Sequence, residues 1–182
     1  ENSGDPIVVY DGLADRWVLS QFAIPAVGDM YECVAVSATA DPLGAYHRYA
    51  FSYGAMMPDY PKLSVWPDGY YATVNVFTAP GFSFSGMAAM AYERDKMLAG
   101  LPAQQVIFKL SGQPSPINKI GGGLPSDLDG RTLPPAGAPN IIAAPEAAEW
   151  TFYPTDRIHF FKFHVDWTTP ANSTFTGPVD VE

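Results

Sequence analysis

Asp5 and Asp59 are the first residues to test for chemistry. Asp5 opens "DPIVVYDG" and Asp59 opens "DYPKLSVWPDG", each beside a proline and ahead of an apolar run. Carboxyl pairs roughly 5–9.5 Å apart hydrolyse glycosidic bonds when one of the two is kept protonated. Matching the two openings makes Asp5 and Asp59 the catalytic candidates, with Asp11 and Asp68 at the opposite ends of the same strands. An aspartate next to Pro or Gly is also a common turn residue that bonds its own backbone. Both readings stay open here. No acid partner stands out: Glu32 and Glu93 lie beside predicted strands, and Glu146 and Glu149 fall in a loop next to Trp150.

Other constellations are weaker. "DLDG" (127–130) offers Asp127 and Asp129 as hard oxygen ligands, so calcium is the one cofactor the sequence suggests. The bidentate Glu of an EF-hand would fall at Ala138, so any such site is a loose loop site. His164 and Asp166, beside Lys162, have transition-metal ligand types but read better as a surface pair. "GFSFSG" lacks the spacing of a nucleophile elbow, and "IGGGLP" lacks the Lys-Ser/Thr of a phosphate loop.

Aromatic residues are abundant, with 11 Phe, 10 Tyr and 4 Trp, more than the turns need. Sugar rings stack their C–H faces on such side chains while nearby polar groups bond the hydroxyls. Tyr60, Tyr70, Tyr71 and Trp150 lie nearest predicted turns and are the expected exposed ligand-binding set.

The elements that must position these residues are strands. Pro and Gly punctuate short runs rich in β-branched and aromatic residues, which predicts an all-β fold. Strands are predicted near 6–10, 16–22, 31–37 and 46–53, then near 62–66, 70–77, 87–92 and 104–110. A short helix is expected over 93–100, with Gly100 as its stop. After a Pro/Gly-rich loop (111–139), strands follow near 140–144, 157–166 and 173–179. The units are thus about 5–54, 55–112 and 113–182. Each reads as a four-stranded antiparallel, propeller-like blade whose two faces are buried. A β-sandwich is the alternative. Three blades fall short of the usual four to eight and leave open edges, so other blades, copies or chains are expected to complete a ring.

Composition sets the setting. The net charge is −9 with ten basic residues and no basic run, which argues against nucleic acid and anionic membrane surfaces. No apolar stretch is long enough for a membrane span, and the chain reads as mature, processed or excised. Cys33 is the only cysteine, so no internal disulfide can form.

"SATADPLGAYHRY" (37–49) resembles the sialidase Asp-box, with Ser37, Thr39, Asp41 and Gly44 supplying the residue types at stretched spacing and Tyr46 at the aromatic position. The Asp-Pro that leads an inner strand is similar to the propellers of arabinanase- and fructosidase-type glycosidases. The whole chain resembles uncharacterised secreted bacterial propeller repeats. These resemblances imply blades and an extracellular or cell-surface setting. A sialidase would need three arginines on its substrate carboxylate, and Arg16, Arg48, Arg94, Arg131 and Arg157 show no such triad. The expected function is a noncatalytic extracellular module for glycan or protein binding or surface assembly. A polysaccharide-active glycoside hydrolase is the alternative.

Overall fold

The computed structural model describes residues 3–78, 81–130, 132–150 and 153–182, and of Trp150 the backbone alone. Trp150 as a stacking side chain and Arg131 therefore lie outside the described residues. The chain forms three four-stranded antiparallel sheets, each a meander in sequence order. The first holds β1 (Gly4–Asp11), β2 (Arg16–Ala23), β3 (Met30–Ser37) and β4 (Tyr46–Gly54). The second holds β5 (Met56–Trp66), β6 (Gly69–Thr78), β7 (Ser83–Tyr92) and β8 (Gln105–Lys109). The third holds β9 (Leu124–Pro125), β10 (Asn140–Glu146), β11 (Arg157–His164) and β12 (Thr174–Val181). An α-turn, α1 (Arg94–Leu98), sits between β7 and β8, and Gly100 follows it at φ +68°, where Gly carries no Cβ penalty. No helix among the described residues is long and apolar enough to cross a membrane.

The sheets stack like blades, with the second in the middle. Val18, Val34, Val36, Phe51 and Tyr53 of the first sheet pack on Val65, Tyr70, Ala72, Val74 and Met90 of the second. The reverse face of the second sheet, with Tyr71, Met87, Ala89 and Ala91, packs on Ile142, Ala144, Phe161 and Phe163 of the third. Successive strand residues point to opposite faces. A sheet covered on both sides must therefore be apolar at both parities. β7 meets that demand with "GMAAMAY", buried throughout, and its alanines let the flanking sheets approach.

Clamps tie the stack together at its turns. Asp11, fully buried, accepts bonds from Arg94 Nε at 2.7 Å and Nη2 at 3.0 Å, from the Tyr70 hydroxyl at 2.9 Å, and from the Leu13 and Ala14 amides. It thus joins the β1–β2 turn to β6 and α1. Burial pushes its carboxyl up, but Arg94 and the hydrogen bonds outweigh that and hold it below the ordinary carboxylate range. At the next hairpin the Tyr71 hydroxyl donates to Asp68, whose carbonyl accepts the Trp167 indole N–H from the third unit at 2.6 Å.

The opening motif is a bulge, not a turn. Pairing of β1 with β2 slips between Gly4 and Ile7, and pairing of β5 with β6 slips between Asp59 and Lys62. Both slips hold a proline, which cannot donate to a ladder and is tolerated at bulges of edge strands. Asp5 and Tyr60 precede those prolines at φ 48° and 52°. The repeat is real but shifted by one residue: the counterpart of Asp5 is Tyr60, and that of Asp59 is Gly4. β5 accordingly begins at Met56, ahead of the predicted 62, because the bulge lets pairing resume on the far side of Pro61.

Candidate functional site

β1 lies against β5, which brings their two bulges to one edge of the stack. Asp5 is exposed there and Asp59 half-buried. Tyr60 keeps 54% of its surface exposed, and Lys62 Nζ stands 3.1 Å from its ring centroid, a cation–π contact. The same ammonium donates to the Pro61 carbonyl at 3.1 Å. Burial pushes the Lys62 amine down, while Asp5 and Asp59 both pull it back up. Both leading aspartates therefore act on one lysine, beside an open aromatic ring. A tyrosine at φ 52° is uncommon for a bulky residue and costs on the order of 1–2 kcal/mol.

Of the four stacking candidates, Tyr60 alone stands open among the described side chains. Tyr70 and Tyr71 are fully buried, which corrects the expectation that they stack on a ligand. They are neighbours on β6, the strand covered from both sides, so one faces the first sheet and the other the third. Their hydroxyls serve the aspartate clamps described above, and burial first, then those aspartates, drives both phenols strongly upward.

The "DLDG" loop turns back on the same edge. The Asp127 carboxylate accepts the Val65 amide at 2.6 Å, and the Leu128 amide donates to the Val65 carbonyl, so the loop adds itself to the free side of β5. Asp129 is exposed, and a cleft of about 440 Å3 separates Asp127, Leu128, Asp129 and Gly130 from Val9, Tyr10 and Gly12. Calcium takes six to eight oxygens. Asp127 and Asp129 supply two carboxylates, one of them already clipping β5, and no group of three or more metal-ligating side chains forms among the described residues. His164 and Asp166 do not form a ligand pair: Asp166 accepts the Thr168 and Thr169 amides and so holds its own turn.

Sequence reasoning set Glu32 aside as lying beside a strand and did not place it in the core. It is 2% exposed, and neither carboxylate oxygen has a hydrogen-bond partner; the Ser20 hydroxyl on the neighbouring strand is likewise unpaired. Burial pushes its carboxyl up to about 7, opposed by Ser20 and reinforced by the charge of Asp5. The signal was the alternation in "YECVAVS", which sets Glu32 on the same face as the buried Val34 and Val36. Glu32 feels the charge of Asp5 at the bulge edge, but its own oxygens are closed off from solvent.

The Asp-box-like residues hold the β3–β4 turn. Ser37 Oγ accepts the Trp17 amide and donates to the Thr39 carbonyl, Asp41 accepts the Leu43 amide, and the Tyr46 hydroxyl reaches the Pro42 carbonyl. None of them faces the bulge edge as a reactive group. No family model matches the chain, and neither a curated protein nor a solved structure is significantly similar to it.

Proposed function

We propose that this chain is a noncatalytic, propeller-like module of the cell exterior that binds a glycan at the edge where the bulges of β1 and β5 meet. One observation carries the reading: a tyrosine with more than half its surface open is held in a left-handed backbone conformation beside Lys62, Asp59 and Asp5. Backbone strain of this kind persists where the surrounding structure over-determines it, and such residues cluster at ligand sites. The ring offers a stacking face, the carboxylates accept sugar hydroxyls, and the lysine donates to them. A calcium ion on the Asp127–Asp129 loop would be an addition to this site and not a requirement of it. The test is calorimetric titration with a polysaccharide panel. Tyr60→Gly fits the backbone conformation, so the fold is retained and affinity falls tenfold or more. Unchanged affinity in that variant would sink the reading.

A second reading, a glycoside hydrolase, is favoured by the convergence of Asp5 and Asp59 on Lys62. It is separated from the first by turnover. Product release that disappears in Asp5→Asn or Asp59→Asn would make the chain an enzyme. Binding without release keeps it a module.

A further inference from the structure

The middle sheet shows what covers a sheet face in this protein: another four-stranded sheet, on each side. Among the described residues, the end sheets each have one face without such a cover. On the first sheet, the row turned away from the core carries Val8, Leu19, Cys33, Ala35 and Ala50, with Gln21 among them and Arg48 as its charge. Val8 is 59% exposed, and a trough of about 600 Å3 runs along these residues. On the third sheet the outward row is apolar at one end, with Ile158, Phe160, Val179 and Val181, and polar at the other, with Lys162, His164, Thr174 and Thr176; Val179 is 63% exposed. A second trough of about 600 Å3 lies at its end, floored by Pro145, Ile158 and Val181 and flanked by Asp156 and Glu182. Each row thus holds an exposed apolar patch where a solvated sheet face would be polar.

We infer that these two faces are one interface between two copies of this chain, the first sheet of each copy packing on the third sheet of its partner. The inference does not rest on the glycan reading. The third sheet offers three strands of seven or eight residues beside the two-residue β9, a face of roughly 26 Å by 14 Å or about 370 Å2. A pair that closes on two such contacts buries on the order of 1,500 Å2 in all, the size of a standard stable interface. Two copies of three sheets give a ring of about six blades, within the usual four to eight. The contact joins unlike faces, and two-fold symmetry uses it twice and closes it.

Light scattering on a sizing column tests this at tens of micromolar. The expected mass is twice the 19.7 kDa of one chain. Val8→Glu and Val179→Glu substitute exposed positions, so circular dichroism should report an unchanged fold. Each alone halves the mass, because either variant spoils both contacts of the ring. An equimolar mixture of the two recovers part of the dimer, since one wild-type contact survives between unlike variants. A monomeric native chain would overturn the inference. Open polymers in place of a dimer would overturn ring closure. A dimer that Val8→Glu breaks and Val179→Glu leaves whole would mean like-on-like packing of first sheets, which also overturns it.

Discussion

Replacing Glu32 with Gln should make the protein more stable in mildly alkaline buffer and leave it unchanged in acid. Glu32 lies between the first and second sheets with both oxygens unpaired, and the groups facing it are the Ser20 hydroxyl, the Asp5 carboxylate and the bonded Tyr53–Tyr92 hydroxyl pair. None of these supplies a positive charge. In the unfolded chain the carboxyl releases its proton near 4.5, and in the folded chain near 7. Between those values the folded state holds a proton that the unfolded state has lost, so stability falls as pH rises through this window. Below 4.5 both states are protonated and the site costs nothing electrostatically. Above 7 the cost levels off at roughly 3 kcal/mol, from the separation of the two values. In a domain of this size that is a drop of about 6–12 °C in melting temperature. Gln keeps the shape and cannot ionise. Urea denaturation of both proteins at pH 5, 6, 7 and 8.5 gives a difference curve in which all other titrations cancel. It should start under about 1 kcal/mol at pH 5 and grow in favour of Gln. Parallel curves would show that the Glu32 carboxylate is stabilised in the fold, and the account of an unpaired, desolvated acid would be wrong.

Two further substitutions probe the stack. Arg94→Met leaves Asp11 as a buried charge without its bidentate partner and should cost about 3–5 kcal/mol in urea denaturation; a loss under about 1 kcal/mol would mean that the Tyr70 hydroxyl and the turn amides suffice. The same pair predicts an acid limb: because the Asp11 carboxyl is held low, its contribution is present above about 3.8 and is lost as pH falls through its depressed folded value. Gly86→Ala forces a Cβ to within 2.7 Å of the Asn118 carbonyl oxygen at φ +81°, so it should destabilise by about 2 kcal/mol or more. Gly28→Ala, with open space around it, should cost less, and equal melting temperatures for the two would refute the steric argument.

The strands were legible because their residues are β-branched and aromatic and the gaps between them carry Pro and Gly. What sequence could not deliver is which residues lie behind a second layer. Tyr70 and Tyr71 stand beside the Asp68-Gly69 turn, and nearness to a turn suggested exposure. The run "GYYATVNVF" lacks polar alternation, and that was the sign of a strand with a sheet on each side. β9 was invisible for another reason: Leu124 and Pro125 are a strand only because Ile142 and Ala143 pair with them. The bulges escaped because Pro58 and Pro61 look like the end of a turn, whereas an edge strand can carry both and pair on either side.

That one-residue shift in the repeat decides what the leading aspartates can be. Had Asp5 and Asp59 been equivalent positions, a symmetric pair of turn residues would explain both. Asp5 instead occupies a left-handed backbone conformation that Asp tolerates and shares it with Tyr60, which tolerates it poorly. A repeat conserved only for its bulge would place Gly, Asn or Asp at both sites, since those residues meet the backbone demand at least cost. The second unit spends that tolerance on an exposed aromatic ring, with a lysine against it and a carboxylate on the residue before it. The bulge supplies the structure in both units, and the side chain at its strained position is where the second unit departs from structural need.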